Sequence, residues 1–228
     1  LNILLLDTST ELEIVAIETE GDIHDMTGEV EVSHSRTLFE RIDRCLKSAS
    51  LGIREVDLFA VGLGPGSFTG IRIAVTTARM LARVNGSALV GLESPELFAL
   101  GAPRGHKQVL VAFDARKKRV FGALYARGNG GLEKILSPGD YPMEQVCRQV
   151  DLEKSCLALG SGSLRYRDIL ERECPPVEIL HPFQPGLADA FKEARDRFRQ
   201  DGDAALDVTR VLPCYRRKSD AEIMKEKQ

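Results

Sequence analysis

The sequence predicts an α/β protein of two stacked lobes with a cleft between them, mixed sheets flanked by helices, and a reduced second lobe. Three observations carry this. The order strand, hairpin, helix, strand, glycines, helix occurs twice along the 228 residues. In each copy the first strand is an apolar run ending in an aspartate, Asp7 and then Asp114. Runs such as Ile3-Leu4-Leu5-Leu6 are short and unbroken, the pattern of strands covered on both faces. Identity between the halves is negligible, so the repeat is one of element order. The predicted division is a first lobe over 1–101, a second over 108–212 and a charged tail over 213–228 that packs back or is partly disordered.

The elements follow in order. Residues 2–7 form the first strand. Over 11–19, Leu12, Ile14 and Ala16 alternate with glutamates, and 22–32 is a polar edge strand joined through Glu20-Gly21-Asp22. In 35–48 the residues Leu38, Phe39, Ile42, Cys45, Leu46 and Ala49 make one helical stripe, capped by Ser33 or Ser35. A buried strand at 57–63, the loop 64–70, a helix at 71–84, a strand at 87–92 and a helix at 95–100 complete the lobe. The Gly/Pro/basic stretch 101–107 has no periodicity and reads as the boundary. Beyond it come strands at 109–114 and 119–125 around a Lys117-Lys118 turn and a weaker third near Ile135. A helix at 143–150, a strand at 156–159, Gly160-Ser161-Gly162, and helices at 164–173 and 188–200 follow.

Composition narrows the function. The chain is 43% hydrophobic and 29% charged, enough to bury a core. Its 31 basic residues face 34 acidic ones, and a net charge of −3 argues against a free-standing nucleic-acid binder. Any such role is local, as at the basic Arg216-Arg217-Lys218 of the tail. Five cysteines without CxxC spacing argue against a disulfide framework or zinc site and for a reducing, cytoplasmic setting. No apolar run approaches a membrane span, and the first ten residues lack a basic signal-peptide start.

Two loops are candidates for chemistry. Asp7-Thr8-Ser9-Thr10, at the carboxyl end of the first strand, offers a carboxylate for metal-bound water and hydroxyls for phosphate, or else an Asx turn that satisfies local backbone. Gly64-Pro65-Gly66-Ser67-Phe68-Thr69-Gly70 leads into a helix N-terminus, where free N–H groups favour anions. It is no Walker loop, and Thr69 stands where the dinucleotide fingerprint needs glycine. Its alternative is a tight crossing that glycine alone permits. Asp114 with Arg116 is either a second metal-positioning carboxylate or a structural ion pair. His34 has Leu38, not a ligand, at i+4, so no metal site is expected there.

The helix at 71–84 is apolar around most of its girth. Only Arg72, Thr76, Arg79 and Arg83 make a polar stripe, so a second helix or another chain must cover it.

These residues resemble one family. Ile3-Leu4-Leu5-Leu6-Asp7-Thr8-Ser9-Thr10, His34-Ser35-Arg36-Thr37-Leu38, the run from Val61 through Gly64-Pro65-Gly66-Ser67-Phe68-Thr69-Gly70 to Ile73, Val111-Ala112-Phe113-Asp114-Ala115-Arg116, and Pro213-Cys214-Tyr215-Arg216 are similar to TsaB, also called YeaZ, in the Gcp-like family. The resemblance implies an actin/Hsp70/sugar-kinase-like (ASKHA) fold. It also implies a role in making threonylcarbamoyladenosine beside the tRNA anticodon, as a non-catalytic partner of the paralogous transferase TsaD.

TsaD holds a metal through HxxxH, where this chain has His34 and Leu38. By the resemblance the partner surface is the helix pair 35–48 and 70–84. His34, Leu38, Arg41, Ile42, Cys45, Leu46, Ile71, Arg72, Val75, Ala78 and Arg79 would meet TsaD, or a second copy when the chain is alone. The ATPase TsaE joins the assembly, and tRNA binds only within it. No catalytic residue and no metal are expected, and no cofactor of the chain's own beyond ATP or ADP with Mg at a shared interface. A residual phosphate site would comprise Asp7, Thr8, Ser9, Gly64, Gly66, Ser67, Thr69 and Asp114. The competing expectation is a nucleotide-dependent enzyme of the same fold, with Asp7 and Asp114 holding Mg²⁺ in the cleft. No zincin helix or activated nucleophile supports a peptidase.

Overall fold

The computed structural model describes residues 1–30, 34–128, 131–175 and 177–216. In the first compact unit, β1 (Ile3–Asp7) pairs antiparallel with β2 (Leu12–Thr19), which pairs with β3 (Asp22–Asp25) and β4 (Gly28–Glu29). Glu20 and Gly21 both have positive φ, the backbone a two-residue hairpin requires. After α1 (His34–Ser48), β5 (Leu58–Gly62) lies parallel to β1. After α2 (Phe68–Asn85), β6 (Ala88–Leu92) lies parallel to β5, and α3 (Ser94–Leu100) follows. The sheet order is β3-β2-β1-β5-β6.

The helix α2 starts three residues before the expected Ile71. Ser67 caps it, its hydroxyl accepting from the Gly70 N–H at 3.3 Å, and Gly86 ends it in the left-handed region. One face of the sheet (Leu4, Leu6, Val15, Ile17, Phe59, Val61) packs with Leu38, Ile42, Ile71 and Val75 of α1 and α2 in a single core.

The second unit repeats the order. Its elements are β7 (Gln108–Asp114), β8 (Arg119–Gly128), β9 (Gly131–Pro142), α4 (Met143–Cys147), β10 (Cys156–Leu159), α5 (Ser161–Arg165), α6 (Arg167–Glu173) and β11 (Val177–Ile179). The sheet runs β9-β8-β7-β10-β11, antiparallel across the first three strands and parallel across the rest. Two sheets of one strand order, each mixed and flanked by helices, constitute the ASKHA fold. The second unit is reduced in its helices: α4 and α5 have 5 residues each and α6 has 7, against 15 in α1 and 18 in α2. The expected helix 164–173 is broken at Tyr166, whose hydroxyl is held by Asp114 at 2.8 Å.

The division of the chain differs from the predicted one. The units are Leu1–Leu97 with Leu187–Cys214, and Phe98–Gly186 with the described residues beyond Cys214. The helix α7 (Leu187–Asp201) and the turns after it, expected in the second lobe, pack with the first unit instead. Arg195 pairs with Glu18, Arg197 with Glu96 and the Gly91 carbonyl, Val208 enters the first core, and the Cys214 N–H donates to Leu63 O at 2.9 Å. The stretch 101–107 is no free linker either, because Gly101 lies against the backbone of Gln184 and Gly186, where a side chain would overlap.

Candidate functional site

The two loops of the first unit meet at the carboxyl end of β1 and lock together. Thr8 donates its hydroxyl to Gly70 O at 2.6 Å, and the Ser67 N–H donates to Ser9 O at 2.7 Å. Asp7 accepts from the Ser9 N–H at 2.6 Å, and Thr10 closes a local turn with Leu12. Glycine is obligatory at this crossing. A Cβ at Gly66 would overlap Ser9 O, and one at Gly70 would overlap Thr8 O. Gly64 has φ +88° besides, and its N–H and C=O both bond Ser94.

Asp7, Thr8, Ser9, Gly64 and Gly66 are buried, while Ser67 and Thr69 are exposed. The structure therefore brings the seven first-unit residues of the predicted phosphate site together, but with Thr8, Ser67 and the Asp7 Oδ1 engaged in holding the loops. Thr69 stays exposed, and the Ser9 Oγ is buried with no hydrogen-bond partner among the described residues.

Asp114 belongs to the second unit and has its own partners. It accepts from the Arg116 N–H and the Tyr166 hydroxyl, each at 2.8 Å, and its other oxygen lies 3.2 Å from Arg165. The ion pair foreseen with Arg116 is made by Arg165. Burial, and then the bond to Asp114, push the Tyr166 hydroxyl above its ordinary range. Among the described residues no three His, Cys, Asp or Glu side chains converge as a metal site would require. Burial pushes the Cys45 and Cys156 thiols up to about 12, which makes these two poor nucleophiles.

The helix pair corrects the expected partner surface. Leu38, Ile42, Cys45, Leu46, Ile71, Val75 and Ala78 are all at most 7% exposed and belong to the core of this chain, so they leave almost no surface for another. The apolar girth of α2 is covered by its own sheet and α1. Arg41 is also structural. It lies 3.3 Å from the fully buried Glu13 and donates to the carbonyls of Gly28 (2.8 Å), Glu29 (2.9 Å) and Met26 (3.2 Å), which pins β4.

What the helices present outward is different. Phe39 is 50% exposed, Met80 48% and Val84 77%, with Arg72, Thr76 and Arg83 exposed beside them and Ile73 and Arg79 half-buried. On α2 the residues Arg72, Thr76, Met80 and Val84 recur every four positions, one face of a helix. Arg72 stacks on the Phe68 ring at 4.0 Å. Phe39 belongs to the stripe that the sequence predicts as one face, and Met80 and Val84 are apolar residues among apolar neighbours; a stricter i, i+4 count along α2 separates them from Ala74 and Ala78. The side chains of His34 and Ser35 lie outside the described residues, as do Arg217 and Lys218.

The family model described as TsaD, tRNA N6-adenosine threonylcarbamoyltransferase, matches residues 18–153, more than half of the chain. The tRNA threonylcarbamoyladenosine biosynthesis protein TsaB of Haemophilus influenzae is 29% identical over 196 residues, 80% of this chain and 81% of that one. The TsaB of Bacillus subtilis is 25% identical over 230 residues, 97% and 96% of the two chains. The chain belongs to the TsaB (YeaZ) family. A crystal structure from Pseudomonas aeruginosa, described as similar to peptidase YEAZ, superposes with a TM-score of 0.80 at 26% identity, covering 95% of this chain and 99% of that one. The TsaB likeness thus spans both units, including the stretch 127–212 where motif resemblance is weak. No described helix is long and apolar enough to cross a membrane.

Proposed function

We propose that this chain is a non-catalytic scaffold and activator subunit of the machinery that installs N6-threonylcarbamoyl on tRNA adenosine. It binds a TsaD-type transferase through the outer faces of α1 and α2. The observation that carries this is the exposure of Phe39, Met80 and Val84 on two helices whose inner faces are fully occupied. Large apolar side chains left in water on adjoining elements favour a partner, with Arg72, Arg79 and Arg83 as the polar rim. Membership of a family whose relatives are named for threonylcarbamoyladenosine biosynthesis supplies the pathway.

In this reading the same surface pairs two copies when the chain is alone, a TsaE-type ATPase joins the assembly, and tRNA is engaged only there. The chain requires no cofactor; ATP or ADP with Mg²⁺ would sit at a shared interface, and the compartment is the cytoplasm. The engagement of Thr8, Ser67 and Asp114 by their neighbours weighs against the enzyme alternative. Calorimetric titration with ATP and Mg²⁺ is expected to give no heat that depends on Asp7.

The test of the surface is capture of the TsaD-type partner by the double variant Phe39→Asp, Met80→Asp. Capture falls at least about tenfold while the melting transition stays in place. Capture equal to the parent's would remove these faces from the interface.

A further inference from the structure

The turn between β7 and β8 carries a concentration of charge that the partner surface does not use. Residues 116–119 read Arg-Lys-Lys-Arg. Arg119 is engaged, its guanidinium lying 2.8 Å from Asp140. Arg116, Lys117 and Lys118 are exposed and make no ion pair among the described residues. All three have positive φ, at 64°, 53° and 58°.

The turn is held rather than loose. The Arg119 N–H donates to Arg116 O at 3.0 Å, the Ala115 N–H to Arg119 O at 3.0 Å, and the Met143 N–H to Lys118 O at 3.1 Å. The nearby carboxylate that would neutralise it is already occupied. Asp114 serves the Arg116 N–H, the Tyr166 hydroxyl and Arg165, and Arg165 itself is 63% exposed beside it. A fixed tip thus presents three cations, with a fourth at its base, on a chain of net charge −3.

We infer that this tip docks the sugar-phosphate backbone of RNA. A polyanion is the complement to cations that make no ion pair of their own among the described residues, and phosphate contacts need reach and charge without a base-reading groove. An acidic protein surface is the lesser match, because a protein interface needs an apolar centre and residues 116–118 offer none. The overall negative charge keeps the contact local, and a contact to phosphates alone is sequence-independent. The inference rests on the proposed function, which puts an RNA in the assembly. It adds which residues of this chain would touch it.

The test is the triple variant Arg116→Asn, Lys117→Asn, Lys118→Asn, asparagine being neutral and tolerant of positive φ. The full chain is assembled with its TsaD-type partner, and binding of a labelled unmodified tRNA transcript is followed by anisotropy across a salt series. The plot of log affinity against log salt is expected to be shallower by about 2–3 in slope for the triple variant. Partner capture and melting temperature are expected to stay unchanged, and the charge-preserving Lys117→Arg, Lys118→Arg variant keeps the parent slope.

An unchanged slope in the triple variant overturns the inference, and so does a parent assembly that fails to bind the transcript at low salt. Loss of partner capture instead of RNA affinity also overturns it and makes the turn a protein contact. The proposed function fails separately, if the parent assembly binds RNA through this turn yet leaves its adenosine unmodified.

Discussion

The two units share a strand order and treat the end of their first strand differently. In the first, the turn after Asp7 is buried under the glycine loop that opens α2, and Thr8 spends its hydroxyl on Gly70 O and Asp7 its Oδ1 on the Ser9 N–H. In the second, the turn after Asp114 stands in solvent with three cations on it, and the glycines after β10 close on Ala112 O rather than on the turn. The long helices α1 and α2 of the first unit bury their inner faces in its core and leave Phe39, Met80 and Val84 exposed. The short helices of the second unit leave its turn open. One topology thus presents exposed apolar side chains on long helices in one copy and a charged turn in the other, a difference in what the fold presents rather than in the fold.

The sharpest way to break this contrast is at the glycines. Gly70→Ala drives a methyl into Thr8 O, so the first unit is expected to lose about 4 kcal/mol or more, or to fail to fold. Gly162→Ala meets Val120 Cγ1 at 2.8 Å and Ala112 O at 2.9 Å, and is expected to cost about 1–3 kcal/mol. Denaturant melts of the two variants compare them directly; equal losses would mean that the loop crossing is not special to the first unit.

Ile42→Glu or Val75→Asp comes next. Each would look like an interface substitution if α1 and α2 met a partner through their inner stripe, yet both side chains lie in the core at 5% and 1% exposure. Each is expected to cost about 3–5 kcal/mol in the chain alone, since it buries an unpaired charge. A melt unchanged from the parent would return the inner stripe to the surface.

Smaller effects probe the second unit. Asp114→Ala removes the acceptor for Tyr166 and Arg116 and the partner of Arg165. Because Arg165 is largely exposed, the loss expected from melts is only about 1–2 kcal/mol. Tyr166 supplies a pH signature. Its hydroxyl is raised above the ordinary value of 10, so its contribution is complete below pH 10 and declines as pH rises through the raised value. Tyr166→Phe is expected to flatten that alkaline decline; an identical decline in both proteins would assign it elsewhere.

Most of the strand and helix order was legible because the apolar runs and the helical stripe at 35–48 are local signals. The return of α7 to the first unit was not, since it depends on ion pairs as distant in sequence as Arg195 with Glu18. Strand β11, three residues long, carries too little pattern to register, and β9 contains Pro138 and Gly139, which obscure alternation. The candidate site was half legible. Periodicity identified α1 and α2 as important and could not tell which face looked inward, because Leu38 and Phe39 are adjacent and equally apolar. Arg41 stands in the partner surface that the resemblance implies, and only the carbonyls of β4 reveal it as a clamp.

In the proposed function this chain acts by lending the outer faces of α1 and α2 to a catalytic partner. Its most direct test is reconstituted threonylcarbamoyl transfer to an unmodified tRNA by the TsaD-type enzyme, with the parent chain, with the Phe39→Asp, Met80→Asp variant, or with neither. Product is predicted with the parent chain alone of the three. Equal product from the variant, or from the enzyme without this chain, would contradict the account.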